Sequence, residues 1–246
     1  MLNKTAIIFL VSIFNNFFFL NIDLYSRPVF TSLIDKTSFY KERYNVQCLN
    51  EKITDNFGNG FESLYGTRNM KPILFGIAYR GGANNYYHKT NKRDNQNPLP
   101  PDGLTNLCKE GFSNAIYLYG KNFSTAQKLI IAEQDTLHYI QNSAMHSTTQ
   151  RELMRMVQAR IENPSLGPLY LHCWNGWHQS GYVGAIILMQ FCDYTNAEAR
   201  KYWEKNTDGD FKKFDNVKNM IANFTPFKEY KINKEVQELI CPCKEK

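Results

Sequence analysis

The run Leu171-His172-Cys173-Trp174-Asn175-Gly176-Trp177-His178-Gln179-Ser180-Gly181 constrains this chain more than any other stretch. A short apolar strand, Leu169 to Leu171, leads into it, and a strongly apolar helix over Tyr182 to Phe191 follows, with Val183, Ile186 and Ile187 as core positions. In open α/β sheets, ligands bind at the carboxyl ends of strands, where this order places His172 and Cys173. A glycine-containing loop that runs into a helix turns backbone N–H groups toward an anion, and the helix N-terminus adds partial positive charge. A thiol set there loses its proton more readily, and the thiolate is a competent nucleophile.

The 246 residues suffice for one α/β domain with extensions. From Lys71 onward strands and helices alternate, which predicts a single domain with a central, mostly parallel sheet flanked by helices. The expected strands are Ile73 to Tyr79, Ala115 to Tyr119, Leu137 to Gln141 and the one before Cys173. The expected helices are Asp102 to Glu110, Phe123 to Gln134, Thr148 to Glu162, Tyr182 to Phe191, one after Thr195, and Phe214 to Phe224. Capping boxes are expected at Ser147 with Gln150 and at Thr195 with Glu198. The stripe Leu153, Met156, Val157 and Ile161 is read as a core-facing helix side. Between the first strand and first helix, Gly81 to Pro101 forms a long insertion of the kind that often carries function.

Four segments follow from this reading: residues 1–26 as a signal peptide or membrane-targeting segment, 27–70 as an extended or irregular N-terminal extension, 71–230 as the α/β domain, and 231–246 as a tail. The apolar run from Thr5 to Leu20 after Lys4 suits a signal-peptide core better than a full span. The expected location is secreted or periplasmic, with membrane anchoring if the segment stays uncleaved and no stable span in the mature protein. Six cysteines permit disulfides in an oxidising compartment. Cys241 and Cys243 could pair with Cys48 or stay free, and no metal is expected. The +6 formal charge is scattered, which argues against nucleic acid and for an anionic ligand. Asn206 to Asp210 lacks the spacing of a calcium loop and is read as a polar turn; His88 and His138 are read as structural.

With its motif stated, the loop resembles the His-Cys-(five residues)-Arg-Ser-Gly signature of the protein tyrosine and dual-specificity phosphatase superfamily, in an atypical bacterial-type form. A weaker likeness runs from about Gly60 to Phe224 and includes Tyr79-Arg80-Gly81-Gly82. The resemblance implies that Cys173 attacks phosphorus to form a cysteinyl-phosphate, that His172 orders the loop, that Gly176 supplies the permissive turn, and that Ser180 assists departure of the thiolate. It also implies a substrate-binding loop of Trp174, Asn175, Gly176, Trp177, His178, Gln179 and Gly181, no cofactor, and a phosphorylated or otherwise anionic substrate.

Two departures qualify that expectation. Gln179 stands where the family has arginine, and a neutral amide replaces a fixed charge with a two-pronged donor. Removing one preorganised donor costs ~3–4 kcal/mol in a hydrolase, roughly a hundred- to a thousandfold in rate. Arg80 is the preferred substitute and His178 the second. No aspartate lies between Asp135 and Cys173; His146 takes the general-acid position, an exposed loop residue being the equal alternative. Trp174 and Trp177 either wall a pocket or brace the loop. The leading expectation is an exported hydrolase of phosphate monoesters. The alternative is a catalytically impaired relative that binds anions, and a remoter one is thiol transfer or redox chemistry, with Cys192 too distant to resolve Cys173. Substrate identity and oligomeric state are not encoded in any motif.

Overall fold

The computed structural model describes residues 28–84 and 97–243. The N-terminal apolar segment, His88 and most of the insertion expected over Gly81 to Pro101 lie outside the described residues, and no helix among those described is long and apolar enough to cross a membrane.

Six strands form one sheet: β1 (Thr67–Leu74), β2 (Ala78–Ala83), β3 (Asn114–Tyr117), β4 (Leu129–Ala132), β5 (Asp135–Gln141) and β6 (Leu169–Cys173). Their order is β1-β2-β6-β3-β5-β4. The inner four, β2, β6, β3 and β5, run parallel, and β1 and β4 close the edges antiparallel. The chain thus has the expected α/β architecture, a mostly parallel sheet flanked by helices.

Helices α1 (Leu33–Tyr44) and α2 (Pro101–Lys109) belong to one sheet face. On the other lie α3 (Ser147–Glu162), α4 (His178–Phe191), α5 (Asn196–Lys205), α6 (Asp215–Asn223) and α7 (Lys234–Ile240). Alternation along β6 divides its side chains between them. Leu169, Leu171 and Cys173 face the α4 side, while Tyr170 joins Tyr40, Tyr79, Tyr117 and Tyr139 on the α1 side.

Several local expectations are corrected. Ile73 to Tyr79 is not one strand: Gly76, at φ +69°, turns the chain so that Leu74 pairs with Ala78 in a β1–β2 hairpin. Both arms are buried throughout, so neither shows the alternation that would have separated them. Phe123 to Gln134 holds no helix; it holds a turn and edge strand β4, whose Ile130 and Ile131 suit a pleated surface. Residues 27–70 are not merely extended. Ser32 caps α1, accepting from the Ile34 and Asp35 amides, and Tyr40 and Tyr44 enter the core. Helix α3 begins with His146 as N-cap, whose N–H donates to Thr149 Oγ1, in place of the expected Ser147 and Gln150 box. Leu153, Val157 and Ile161 are buried as expected, joined by Met154, while Met156 is partly covered. The Thr195 and Glu198 box forms as expected.

The C-terminal segment also belongs to the body of the fold. Ile240 is buried in the α4-side core, its carbonyl accepts from the Phe75 amide, and Cys241 is disulfide-bonded to Cys192 at the end of α4. That pairing replaces the expected choice of Cys48 or nothing for Cys241.

Candidate functional site

His172 sits at the carboxyl end of β6, fully buried in a stack of tyrosine rings, 8° from coplanar with Tyr170. The Leu99 amide donates to Tyr139 Oη at 3.0 Å, which lets Tyr139 donate onward to His172 Nε2 at 2.8 Å. With Nε2 accepting, the proton resides on Nδ1 and is donated to the Cys173 carbonyl at 3.2 Å. Burial drives this imidazole down to about 3, with the Cys173 carbonyl opposing. His172 is therefore neutral at ordinary pH, and its Nδ1–H is bonded to the carbonyl of the cysteine that follows it.

After Cys173 the chain folds back against the end of β2. The Ala83 amide donates to the Trp174 carbonyl at 3.0 Å, and Gly82 forms an isolated bridge with Asn175. Gly176 then turns at φ +78°, and Trp177 leads into α4. The approach tolerates no side chain on either strand. A Cβ on Gly82 would fall 2.3 Å from the Trp174 oxygen, and one on Gly176 would fall 2.7 Å from the Gly81 carbonyl carbon. Gly81-Gly82 in β2 and Gly176 in the loop are thus matching halves of one close contact. The first turn of α4, His178 to Ser180, has no preceding helical carbonyl for its amides, so the positive end of the helix dipole adjoins the loop.

Arg80 approaches from beneath. Fully buried, it donates from Nη1 to the Gly176 carbonyl at 2.6 Å and lies 3.4 Å from Ser180 Oγ, while Nε donates to Tyr202 Oη at 2.7 Å. Its Nη2 is buried with no hydrogen-bond partner among the described residues. Asn69, at φ +49° in β1, donates a second bond to the same carbonyl at 3.3 Å. Neighbouring Lys71 is pushed down to about 6, first by burial and then by the Arg80 charge. Lys71 thereby yields its charge near neutrality, while the Arg80 guanidinium stays a fixed cation under the loop.

The sulfur of Cys173 lies 3.5 Å from Ser180 Oγ, and Cys173 lines a cleft of about 350 Å³. Trp174, Asn175, Trp177, His178 and Gln179 from the loop line it, with Tyr119, Met145, Phe214, Asn216 and Val217 contributed by other elements. Both tryptophans line the cleft. Trp174 is 47% exposed at the mouth, whereas Trp177 is partly buried with its Nε1 enclosed and unpartnered among the described residues. His178 stacks on Phe214 at 3.6 Å and donates from Nε2 to the Asp210 carbonyl at 2.6 Å, which ties the Asn206 to Asp210 turn to the loop. Gly181 lets Trp203 pass close to α4, where a Cβ would meet the indole at 3.0 Å. His146 lies outside the lining, exposed one residue beyond Met145.

Sequence reasoning missed Asn69, Tyr202, Tyr119, Phe214 and Asn216. No local pattern marks them, because each reaches the site through sheet order or helix packing. Among the described residues no group of three or more His, Cys, Asp or Glu could hold a metal ion.

No family model and no curated protein matches the chain. Among solved structures it is similar to Tk-PTP in its active form, with 15% identity over 63% of this chain and 97% of that one and a TM-score of 0.42. It is also similar to the core catalytic domain of the PP-IP phosphatase SIW14 from S. cerevisiae in complex with citrate, with 11% identity over 69% and 89% and a TM-score of 0.40. For P. aeruginosa TpbA, a Cys-to-Ser variant in complex with phosphotyrosine, the values are 12%, 61% and 91%, and 0.34. All three scores lie below 0.5.

Proposed function

We propose that this chain hydrolyses phosphate monoesters through Cys173, with Arg80 supplying from below the positive charge that Gln179 cannot supply from the rim. The observation that carries this reading is that Cys173 lines the cleft with its sulfur 3.5 Å from Ser180 Oγ, which is itself 3.4 Å from the Arg80 guanidinium.

In the first step the Cys173 thiolate attacks phosphorus. An S–P bond forms, the P–O bond to the leaving group breaks, and the leaving oxygen takes a proton, with His146 at the start of α3 as its proposed donor. The amides of the loop and the first turn of α4 receive the phosphoryl oxygens. In the second step water attacks phosphorus and gives a proton back to His146, the S–P bond breaks, phosphate leaves, and Ser180 donates a hydrogen bond to the restored thiolate. His172 holds the loop in register throughout.

A charge two hydrogen-bond lengths from the sulfur is worth about 2 kcal/mol at an effective dielectric of about 20. This falls short of the ~3–4 kcal/mol associated with one preorganised donor, so turnover is expected to be slow but real. The test is hydrolysis of an aryl phosphate by the parent protein beside Cys173→Ser. Turnover that vanishes in the variant supports the reading, and equal rates in both refute it.

A second reading, anion binding without turnover, is favoured by one feature: among the described residues, the cleft lining contains no lysine or arginine. Under it the parent binds phosphate and stays inert, and Cys173→Ser binds as well. Export is part of the proposal on both readings. The apolar run at Thr5 to Leu20 supports it, as does the Cys192–Cys241 disulfide, since such bonds persist in oxidising compartments.

A further inference from the structure

The two cysteines of the terminal Cys-Pro-Cys each have another sulfur beside them, on opposite sides of the tail. Cys241 is bonded to Cys192 at the end of α4. The Cys243 sulfur lies 2.6 Å from that of Cys48, in the segment that follows α1, closer than two unbonded sulfurs pack. Their backbones form an isolated parallel bridge. Strand-paired backbones stand about 4.8 Å apart, inside the roughly 4.4–6.8 Å Cα separation that a disulfide spans. Cys48 is half-buried and Cys243 exposed, so an oxidant reaches both.

We propose that Cys48 and Cys243 form a second disulfide, which staples the C-terminal tail to the α1 side while Cys192–Cys241 staples it to α4. Two thiols lose two protons and two electrons in making the bond. The oxidant is a disulfide-bearing thiol compound, reduced in turn to two thiols. Exchange is the route by which such bonds form.

The arrangement bears on the nucleophile. With four of six cysteines paired, the remaining thiols are Cys108 and Cys173. Cys108 is fully buried, its sulfur directed at the Asp135 and Ile130 carbonyls, and burial raises it. Cys173 is then the one reactive thiol left, and an oxidising environment offers it no unpaired Cys48 or Cys243 with which to exchange. This inference stands on the tail geometry and does not depend on the phosphatase reading.

The test uses the purified full chain equilibrated with oxidised glutathione, blocked with N-ethylmaleimide under denaturing conditions without reductant, digested, and read by mass spectrometry. The expected result is one peptide pair linked through Cys48 and Cys243, another through Cys192 and Cys241, and maleimide on Cys108 and Cys173 alone. In Cys48→Ser, native-state labelling of Cys243 should rise from none to one maleimide per chain. Quantitative maleimide on both Cys48 and Cys243 of the parent, with Cys192–Cys241 intact, overturns the proposal. A link from Cys243 to any other cysteine overturns it too. The parent digest decides the matter even if the variant fails to fold.

Discussion

The Arg80 guanidinium donates to the Gly176 carbonyl at 2.6 Å and stands 3.4 Å from Ser180 Oγ, so a single buried cation from β2 touches both the turn of the loop and the hydroxyl beside the sulfur. A loop that lacks a cation at its own rim is thereby tied to one in the neighbouring strand. Parallel pairing fixes the register, with Arg80 opposite Leu171 and Gly81 opposite His172.

Arg80→Met removes the charge and one of the two donors to the Gly176 carbonyl, and should lower kcat by roughly 30-fold or more, as expected for ~2 kcal/mol or above. Arg80→Lys keeps charge without the fork and should recover part of that loss. Steady-state kinetics on an aryl phosphate with both variants makes the check, and equal loss in the two would assign Arg80 a packing role alone.

Gln179→Arg should raise kcat/KM about 5- to 30-fold, because the deficit between the Arg80 contribution and a rim donor is about 1–2 kcal/mol. The position already lines the cleft, so a longer side chain has somewhere to go. The same assay settles the binding-only reading: under it, turnover starts from nothing in the parent.

Gly82→Ala places a Cβ against backbone on three sides, the Trp174 oxygen at 2.3 Å among them. Backbone cannot rotate away as a side chain can. The loop must shift, at a cost of about 1–3 kcal/mol. Activity should fall more than tenfold, with a lower thermal midpoint. Gly120→Ala, where nothing lies within 4 Å of an added Cβ, is the control and should leave activity unchanged.

Stability should fall on mild acidification because of His172. Its folded value of about 3 lies below the roughly 6.5 of an unfolded chain, so the unfolded state alone binds the proton in between. The stabilisation is complete above the unfolded value and is lost as pH falls toward the folded one. Between pH 6.5 and 5 this amounts to about 2 kcal/mol. Urea midpoints across that window measure it, and His172→Phe, though less stable overall, should flatten the slope.

The parts of this molecule that are local in sequence were legible from it. The strand, loop and helix around Cys173 and the Thr195 cap of α5 follow from periodicity and capping chemistry. Where burial is two-sided, pattern fails. The β1–β2 hairpin is buried at every strand position, so nothing but Gly76 marks its turn. Helix α1 escaped notice because its buried side includes Lys36 and Thr37 beside Tyr40 and Tyr44, although Ser32 with Asp35 offered a cap signal. The roles of Asn69 and Tyr202 depend on which strands and helices become neighbours, which a single sequence does not display.

The most direct measurement mixes the parent protein with an aryl phosphate, quenches in acid within the first turnovers, and locates any added phosphoryl group by peptide mass spectrometry. A cysteinyl-phosphate on Cys173, absent from Cys173→Ser and diminished in Arg80→Met, is the predicted result. Phosphate released at the same rate by parent and Cys173→Ser, with no modified sulfur, would contradict it.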